Sequence, residues 1–402
     1  MTAERPSTAS RLRRTAEVFG VALGLGLTSF GGPIAHLGYF RRAYVERRAW
    51  LDEHAFADLL ALCQFLPGPA SSQLGVAIGT RRAGILGGLA AWLGFTLPSA
   101  VALVLFGLLT EGIDLSTAGW VHGLKLAAVA VVGDAVYAMA RVLAPDWPRR
   151  IVAALAAAVA LLWSTPVSQV AIIAGGAIVG RFLLAPPPPR PADAEPSPVP
   201  PAFGALALGV FGALLVGLPL LRWAVDGQAL AMVDAFYRTG ALVFGGGHVV
   251  LPLLHSTVVD AGWVSNDAFL AGYGAAQAVP GPLFTFAAYL GTVARLPPNG
   301  VAGAVMALGA IFLPSFLLVF GVLPFWERLR RSASVRRALA GTNAAVVGIL
   351  GAALVSPVGT SALGGPLDLA IAAAGFALLR SGRVSPIVVV GLCAVLAEAI
   401  AA

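Results

Sequence analysis

A Gly- and Pro-rich pattern occurs twice in this sequence at an almost constant spacing. The first copy has FGGP at residues 30–33 and QFLPGP at residues 64–69, and the second has FGGGH at residues 244–248 and QAVPGP at residues 277–282. Each residue shared by the two longer motifs recurs 213 positions later, as from Gln64 to Gln277. A fixed offset between several helix-breaking residues predicts a duplicated chain. Both copies place Gly and Pro inside otherwise apolar sequence.

The composition is that of an integral membrane protein. Among the 402 residues, 58% are hydrophobic and only 11% are charged, whereas soluble domains carry about 25% charged residues. Many apolar runs approach or exceed the roughly 20 residues that cross a bilayer as a helix. These runs are residues 85–109, 124–142, 151–162, 167–184, 203–221 and 301–323. We therefore expect an all-α integral membrane protein whose first partner is the lipid bilayer.

Charge, cysteine usage and motifs argue against several other classes. The net charge of +7 arises from arginines in short loops, where they set membrane topology and do not indicate nucleic acid. The two cysteines, Cys63 and Cys393, lie in apolar surroundings and suggest neither a disulfide framework nor a metal cluster. The sequence has no phosphate-binding loop and no nucleophile–His–Asp pattern. We expect no enzyme activity, no cofactor and no metal.

The composition also divides the chain into segments. A Pro-rich run cannot form a helix and reads as an extended linker. The predicted segments are a cytoplasmic tail (1–14), a first repeat (15–185), the Pro-rich linker (186–202), an extra transmembrane helix (203–223) and a second repeat (230–402).

The loop charges of the two repeats are opposite. Residues 41–48 contain four arginines, whereas the matching residues 255–267 contain Asp260 and Asp267 and no Lys or Arg. Positively charged loops stay in the cytoplasm, which predicts a cytoplasmic N-terminus and two halves in opposite orientations. The extra helix supplies the odd crossing that such an inversion needs. Inverted repeats of this kind are typical of secondary transporters, in which one half rocks against the other.

Two interpretations of the broken segments remain open. Arginines flank residues 55–80 on both sides, which favours a re-entrant hairpin with residues 67–69 at its tip. The same argument applies to residues 18–39, with the tip at residues 31–33. The alternative is that these segments are kinked helices that cross the whole membrane.

The four breaks predict a central cavity with an anion site. A helix broken within the membrane leaves unpaired backbone groups that protein or a water-filled cavity must satisfy. Helix N-termini that follow the breaks would aim N–H groups and positive dipole ends into such a cavity. The alternative is that Gly-Pro pairs only kink packed helices. Our candidate substrate-binding residues near the breaks are Gly32, His36, Gln64, Gly68, Ser71, Ser72, Gly246, His248, Gln277, Gly281 and Thr285.

Ionisable residues inside the spans are further candidates. Lys125 is the chain's sole lysine and could bind an oxyanion or take part in proton coupling, or its ammonium could extend to the interface. Asp134 is a candidate coupling residue, although a structural ion pair is the alternative. His36 and His248 could contact substrate or titrate; each could equally be bonded to backbone at its break.

Together these motifs resemble the two-domain form of the chromate ion transporter (ChrA-type) family. The residues that carry the resemblance are FGGP at 30–33 with His36, Trp50-Leu51, Phe56, QFLPGPAS at 64–71, LPS at 97–99, FGGGH at 244–248, Gly272-Tyr273, QAVPGP at 277–282, YLG at 289–291. The resemblance covers nearly the whole chain apart from the tail and the linker. It implies a prokaryotic inner-membrane protein of two homologous halves that exports chromate, a sulfate-like tetrahedral dianion.

The sequence thus favours a secondary active transporter for a tetrahedral oxyanion, with chromate efflux and chromate resistance as the first hypothesis. Uptake of sulfate or another oxyanion, by a carrier or a channel, is the first alternative. A membrane scaffold without transport activity is the second. The coupling ion and the oligomeric state, a homodimer included, are open at this point.

Overall fold

The structure is a computed structural model that describes residues 8–30, 32–110, 119–163, 166–186, 197–243 and 250–401. The first repeat contains eight α-helices within these residues. They are α1 (Thr8–Thr28), α2 (Gly32–Phe40), α3 (Glu53–Phe65), α4 (Ala70–Ala83), α5 (Ile85–Leu109), α6 (Gly119–Leu143), α7 (Trp147–Leu162) and α8 (Pro166–Leu183). A π-helical turn, Arg41–Arg47, extends α2.

A separate helix, α9 (Pro201–Ala224), leads into the second repeat. That repeat contains α10 (Gln228–Leu242), α11 (Val250–Leu254), α12 (Asn266–Ala278), α13 (Phe286–Thr292), α14 (Gly300–Val322), α15 (Trp326–Arg331), α16 (Ala333–Ala353), α17 (Thr360–Ala362), α18 (Pro366–Arg380) and α19 (Pro386–Ala401). A π-helical turn, His255–Val259, extends α11 as its counterpart extends α2.

The prediction of a helical membrane protein with two homologous halves is confirmed. Among the described residues, five helical segments are long and apolar enough to cross a bilayer: Ile85–Leu109, Gly119–Leu143, Pro201–Ala224, Gly300–Phe325 and Ala333–Ala362. Many large apolar side chains on these segments are exposed, for example Leu105, Leu206 and Val305. An exposed apolar belt on a helix of this length suits contact with lipid.

The two Pro-Gly-Pro breaks (residues 67–69 and 280–282) interrupt their helices at matched positions. The helix before each break, α3 or α12, begins with a side-chain cap: Asp52 accepts from the N–H of Ala55 at 2.7 Å, and Ser265 accepts from that of Ala268 at 3.2 Å. Each helix then runs for 13 residues. Gly68 and Gly281 at the breaks have φ angles of 121° and 109°, which side chains other than glycine rarely adopt.

The two halves exchange helices, in the sense that some helices of each half pack against helices of the other. Helix α6 of the first repeat packs against α18 and α19 of the second, and α16 of the second repeat packs against α7 and α8 of the first. Two glycines permit these close approaches, since a Cβ on Gly123 would meet the backbone at Cys393, and one on Gly341 would meet the backbone at Gly176. Neither half is therefore a separate packed body.

Helices α5 and α14, which carry the two LPS tripeptides, are central to the contacts between the repeats and pack against each other. Helix α1 packs on α5 through Gly26, and α10 packs on α14 through the equivalent Gly240. Between α5 and α14, the indole of Trp92 makes edge contacts with the rings of Phe312 and Phe316, with centroid distances of 5.5 and 5.3 Å. The breaks of both repeats lie against this central pair.

Candidate anion site

Each Pro-Gly-Pro break is hydrogen bonded to the opposite half. The backbone N–H of Gly68 donates to the carbonyl oxygen of Val243 at 2.6 Å, and that of Gly281 donates to the carbonyl oxygen of Ser29 at 3.0 Å. Ser29 and Val243 immediately precede the two Gly-rich breaks. The contact is thus reciprocal: each Pro-Gly-Pro break contacts the residue that ends the helical segment before the Gly-rich motif of the other half.

The serines of the two LPS tripeptides lie beside the same glycines, again across the halves. A Cβ placed on Gly68 would lie 2.7 Å from the Ser315 Oγ, and one on Gly281 would lie 2.7 Å from the Ser99 Oγ. Glycine is favoured at both breaks by its backbone conformation and by crowding, to which the Gln73 Nε2, 2.5 Å from a Cβ on Gly68, also contributes. Ser99 donates to the carbonyl oxygen of Thr96 at 3.1 Å, whereas Ser315 has no partner among the described residues.

His36 connects the Gly-rich break of the first repeat to helix α4. Its Nε2 lies 3.1 Å from the carbonyl oxygen of Ser29, and its Nδ1 lies 3.3 Å from the Ser71 Oγ. A neutral imidazole with this pair of neighbours donates from Nε2 and accepts the Ser71 proton at Nδ1. The ring is buried and packs edge-on against Phe95. His36 is therefore bonded to backbone at the break, which is the second of the two roles that its sequence position allows.

Four buried hydroxyl groups in this region have no hydrogen-bond partner among the described residues. They belong to Ser29, Ser72, Thr96 and Ser315, each at most 3% exposed. Leaving a buried donor unpaired costs about 1–3 kcal/mol, so these hydroxyls are candidate donors to a ligand or to water. The indole N–H of Trp92 between α5 and α14 is also unpaired there.

Contacts connect the segments that carry Ser29, Ser72 and Thr96, and Ser315 lies beside Gly68 at the break before α4. Ser72 lies in the first turn of α4, next to Ser71, which reaches Ser29 through His36. Ser29 in turn accepts the Gly281 N–H, and the backbone of Phe95, next to Thr96, lies against Gly281. The segments that precede and follow the breaks thus surround one polar region inside the membrane-spanning bundle.

The N-terminus of α4 adds backbone donors to this region. Pro69 precedes the helix and no side chain caps it, so the first-turn N–H groups point towards the break with the positive end of the helix dipole. Gln73 donates its amide N–H to the carbonyl oxygen of Pro67 at 2.6 Å, while its Oε1 is unpaired among the described residues. In the second repeat the hydroxyl of Thr285 donates to the carbonyl oxygen of Pro282 at 2.7 Å.

The two matched glutamines have different surroundings. Gln64 is exposed at the end of α3. Gln277 at the end of α12 is half-buried, and its side chain lies beside the Tyr273 hydroxyl. Gly32 opens α2, and Gly246 and His248 lie outside the described residues.

The charged candidates are held in ion pairs. Lys125 Nζ lies 2.6 Å from Asp267 Oδ1, so the sole lysine joins α6 of the first repeat to the start of α12 in the second. Asp134 on the same helix α6 pairs with Arg380 of α18 at 3.4 Å. The ion pair that the sequence allowed for Asp134 is therefore present.

Sequence reasoning missed several polar residues. In the sequence, Ser29, Thr96 and Ser315 look like the serines and threonines that are common in apolar helices. For Ser315 the repeated LPS tripeptide was a signal that this position could belong to the site. It also missed Asp234, which is fully buried in α10 and pairs with Arg238 at 2.6 Å and with Arg222 of α9 at 3.3 Å. This cluster fixes the extra helix to the second repeat.

Comparison with known proteins agrees with the internal repeat. The family model described as chromate transporter matches residues 16–181 and again residues 230–398. The chain is 31% identical to a chromate transport protein of Pseudomonas aeruginosa over 91% of this chain and 87% of that one. It is 25% identical to a chromate transport protein of Cupriavidus metallidurans, over 92% and 89% of the two chains. No solved structure matches it. The protein belongs to the chromate transporter family.

Proposed function

We propose that this protein is a secondary active transporter that carries a tetrahedral oxyanion dianion, with chromate as the first candidate. The buried hydroxyls of Ser29, Ser72, Thr96 and Ser315, which have no partner among the described residues, carry this proposal. An oxyanion has several acceptor oxygens, so it can accept hydrogen bonds from several of these hydroxyls at once. Such a site needs no metal ion. Relatives named chromate transport proteins support chromate as the substrate.

The chemistry of the donor set favours an anion over a cation. The hydroxyls, the indole of Trp92 and the first-turn N–H groups of α4 can all donate, whereas a cation would need carboxylate or carbonyl oxygens. The carboxylates of Asp134, Asp234 and Asp267 are each paired with a cationic side chain. Fixed donors replace the hydration shell of a dianion, whose desolvation is otherwise very costly.

The proposed topology is the inverted one, with the N-terminus in the cytoplasm of a prokaryotic inner membrane. Its support is the reversal of loop charge between the repeats, together with the reciprocal contacts of the breaks. The contact of α3 with α4 across residues 66–69 supports a re-entrant hairpin. We propose efflux, the direction that the family resemblance implies, so that the protein confers chromate resistance.

Flux measurements on purified protein in liposomes test the proposal. Chromate flux that saturates, that sulfate inhibits and that an imposed pH or voltage gradient drives is the expected result. Inward flux of sulfate would indicate that the protein takes up an oxyanion and does not export one. Flux that rises linearly with chromate concentration would indicate a channel. Absence of flux of both anions from folded protein would overturn the proposal.

A further inference from the structure

The helices that lead to the two Pro-Gly-Pro breaks are equivalent in sequence and unequal in their surroundings. One face of α12 carries Leu270, Gly274 and Gln277 at intervals of four and three residues, which places them on the same side of the helix. Leu270 and Gly274 are buried. An internal repeat makes this face directly comparable with that of α3.

The matching face of α3 is open. It carries Ala57, Ala61 and Gln64, 213 positions earlier. Ala57 and Gln64 are exposed and Ala61 is half-buried. An amide at the depth of a helix break cannot face lipid without a large cost. If α3 ends within the membrane, as in the proposed re-entrant hairpin, the exposed Gln64 side chain must therefore face water.

Helix α12 is closed against α6. A Cβ on Gly274 would lie 2.8 Å from the carbonyl oxygen of Leu124, so the helices approach as closely as glycine allows. One residue further along α6, Lys125 forms its 2.6 Å ion pair with Asp267 at the start of α12. The lysine side chain is only 10% exposed in this pair. An ion pair and a close packing contact thus seal this side.

Helix α3 lacks the equivalent seal. Its partner by symmetry is α16, where Asn343 takes the place of Lys125 and Gly341 the place of Gly123. The Oδ1 of Asn343 is buried and has no partner among the described residues. Helix α3 packs on Trp326, which donates its indole N–H to Asp58 at 3.0 Å.

We propose that α3 and α12 are the two gates of one transport pathway, and that the Lys125–Asp267 ion pair holds the α12 gate shut in this conformation. This inference rests on the proposed transport function. In the opposite conformation, α3 closes onto α16 near Asn343 while α12 leaves α6. Opening of α12 separates Lys125 from Asp267 and exposes its ammonium group to an anion in the pathway.

Cysteine accessibility tests the gates without a transport assay. In full-length protein with Cys63 and Cys393 replaced by alanine, Gln64→Cys and Gln277→Cys are each exposed to a water-soluble maleimide. We expect Gln64→Cys to react about tenfold faster, because one gate is open and one is shut. Adding Asp267→Asn should raise the reaction rate of Gln277→Cys several-fold. The charge-swapped pair Lys125→Asp with Asp267→Lys should return it towards the original value.

A matched control uses the other ion pair of α6. Asp134→Asn breaks the contact with Arg380 and should leave the labelling of Gln277→Cys unchanged. Equal labelling of Gln64→Cys and Gln277→Cys, or no response to Asp267→Asn, would overturn the gate assignment. The labelling needs no substrate, so absence of chromate flux with the expected labelling would reject chromate as the substrate and leave the open and closed states of α3 and α12 in place.

Discussion

The backbone N–H of Gly281 donates a 3.0 Å hydrogen bond to the carbonyl oxygen of Ser29, a residue of the opposite repeat. Gly68 and Val243 form the same contact in the reverse direction. Each break is therefore anchored by the half to which it does not belong. Together with the exchanged helices, this arrangement favours movement of individual gate helices over rocking of one whole half against the other.

Substitution of Gly68 by alanine should destabilise the protein strongly. The change imposes a backbone conformation that costs a residue other than glycine about 1–3 kcal/mol, and the new Cβ would also meet the side chains of Gln73 and Ser315. Gly84→Ala is the matched control, since Gly84 also has a positive φ and has open space around it. Thermal unfolding in detergent should show a larger loss for Gly68→Ala, partly recovered by adding Ser315→Ala. Equal losses at the two glycines would contradict the proposed crowding.

Ser315→Ala and Ser72→Ala should weaken oxyanion binding and leave the unliganded protein as stable as before. Neither hydroxyl has a hydrogen-bond partner among the described residues, so no bond is lost on substitution, whereas a bound anion would lose a donor worth about 1.5–3 kcal/mol. The KM for chromate should rise about tenfold or more.

The control for these serines is Thr80→Val in α4. Its hydroxyl is buried and donates to the Val76 carbonyl oxygen at 2.7 Å, so this variant should lose stability and keep the KM. An unchanged KM in both serine variants would remove them from the site.

The proposed site should accept sulfate, molybdate and selenate and reject phosphate and arsenate. Near neutral pH the last two carry a proton that needs an acceptor, and each hydroxyl that accepts it is lost as a donor to the other oxygens of the anion. Competition against chromate flux measures this preference. Inhibition by phosphate as strong as that by sulfate would show that an acceptor such as the Gln73 Oε1, which is unpaired among the described residues, takes this proton without loss of a donor.

Gln64→Ala and Gln277→Ala should each reduce transport while the protein stays in the membrane at normal levels. In the gate model each amide reaches the anion when its own gate is open, so the two variants should affect opposite sides of the pathway. Flux measured in both directions with oriented liposomes would show this. Normal flux in both variants would exclude the glutamines from the pathway.

Arg47→Cys and Asp260→Cys should label from opposite sides of the membrane. The two positions are equivalent in the repeats, and both are exposed. An impermeant thiol reagent applied to intact cells should reach position 260 only, in the variant with Cys63 and Cys393 removed. Labelling of both positions from one side would rule out the inverted repeat.

The sequence by itself determined the fold class, the duplication and the location of the breaks. Hydrophobic runs specify membrane helices because lipid cannot hydrogen bond to the backbone. The motifs around residues 64–69 and 277–282 placed the breaks correctly because proline and glycine act on the local backbone, whatever the tertiary context.

Only the tertiary structure decided which side chains meet at the breaks. Ser315 lies beside Gly68 and Ser29 beside Gly281 because segments of the two repeats pack against each other, as α14 does against α4, a long-range arrangement that no local pattern encodes. The structure also paired Lys125 with Asp267, residues from different repeats. The structure also showed that Gln64 and Gln277, which occupy the same position in the two motifs, differ in exposure: Gln64 is exposed and Gln277 is half-buried. A sequence repeat is symmetric, whereas a single conformation of a gated pathway is not.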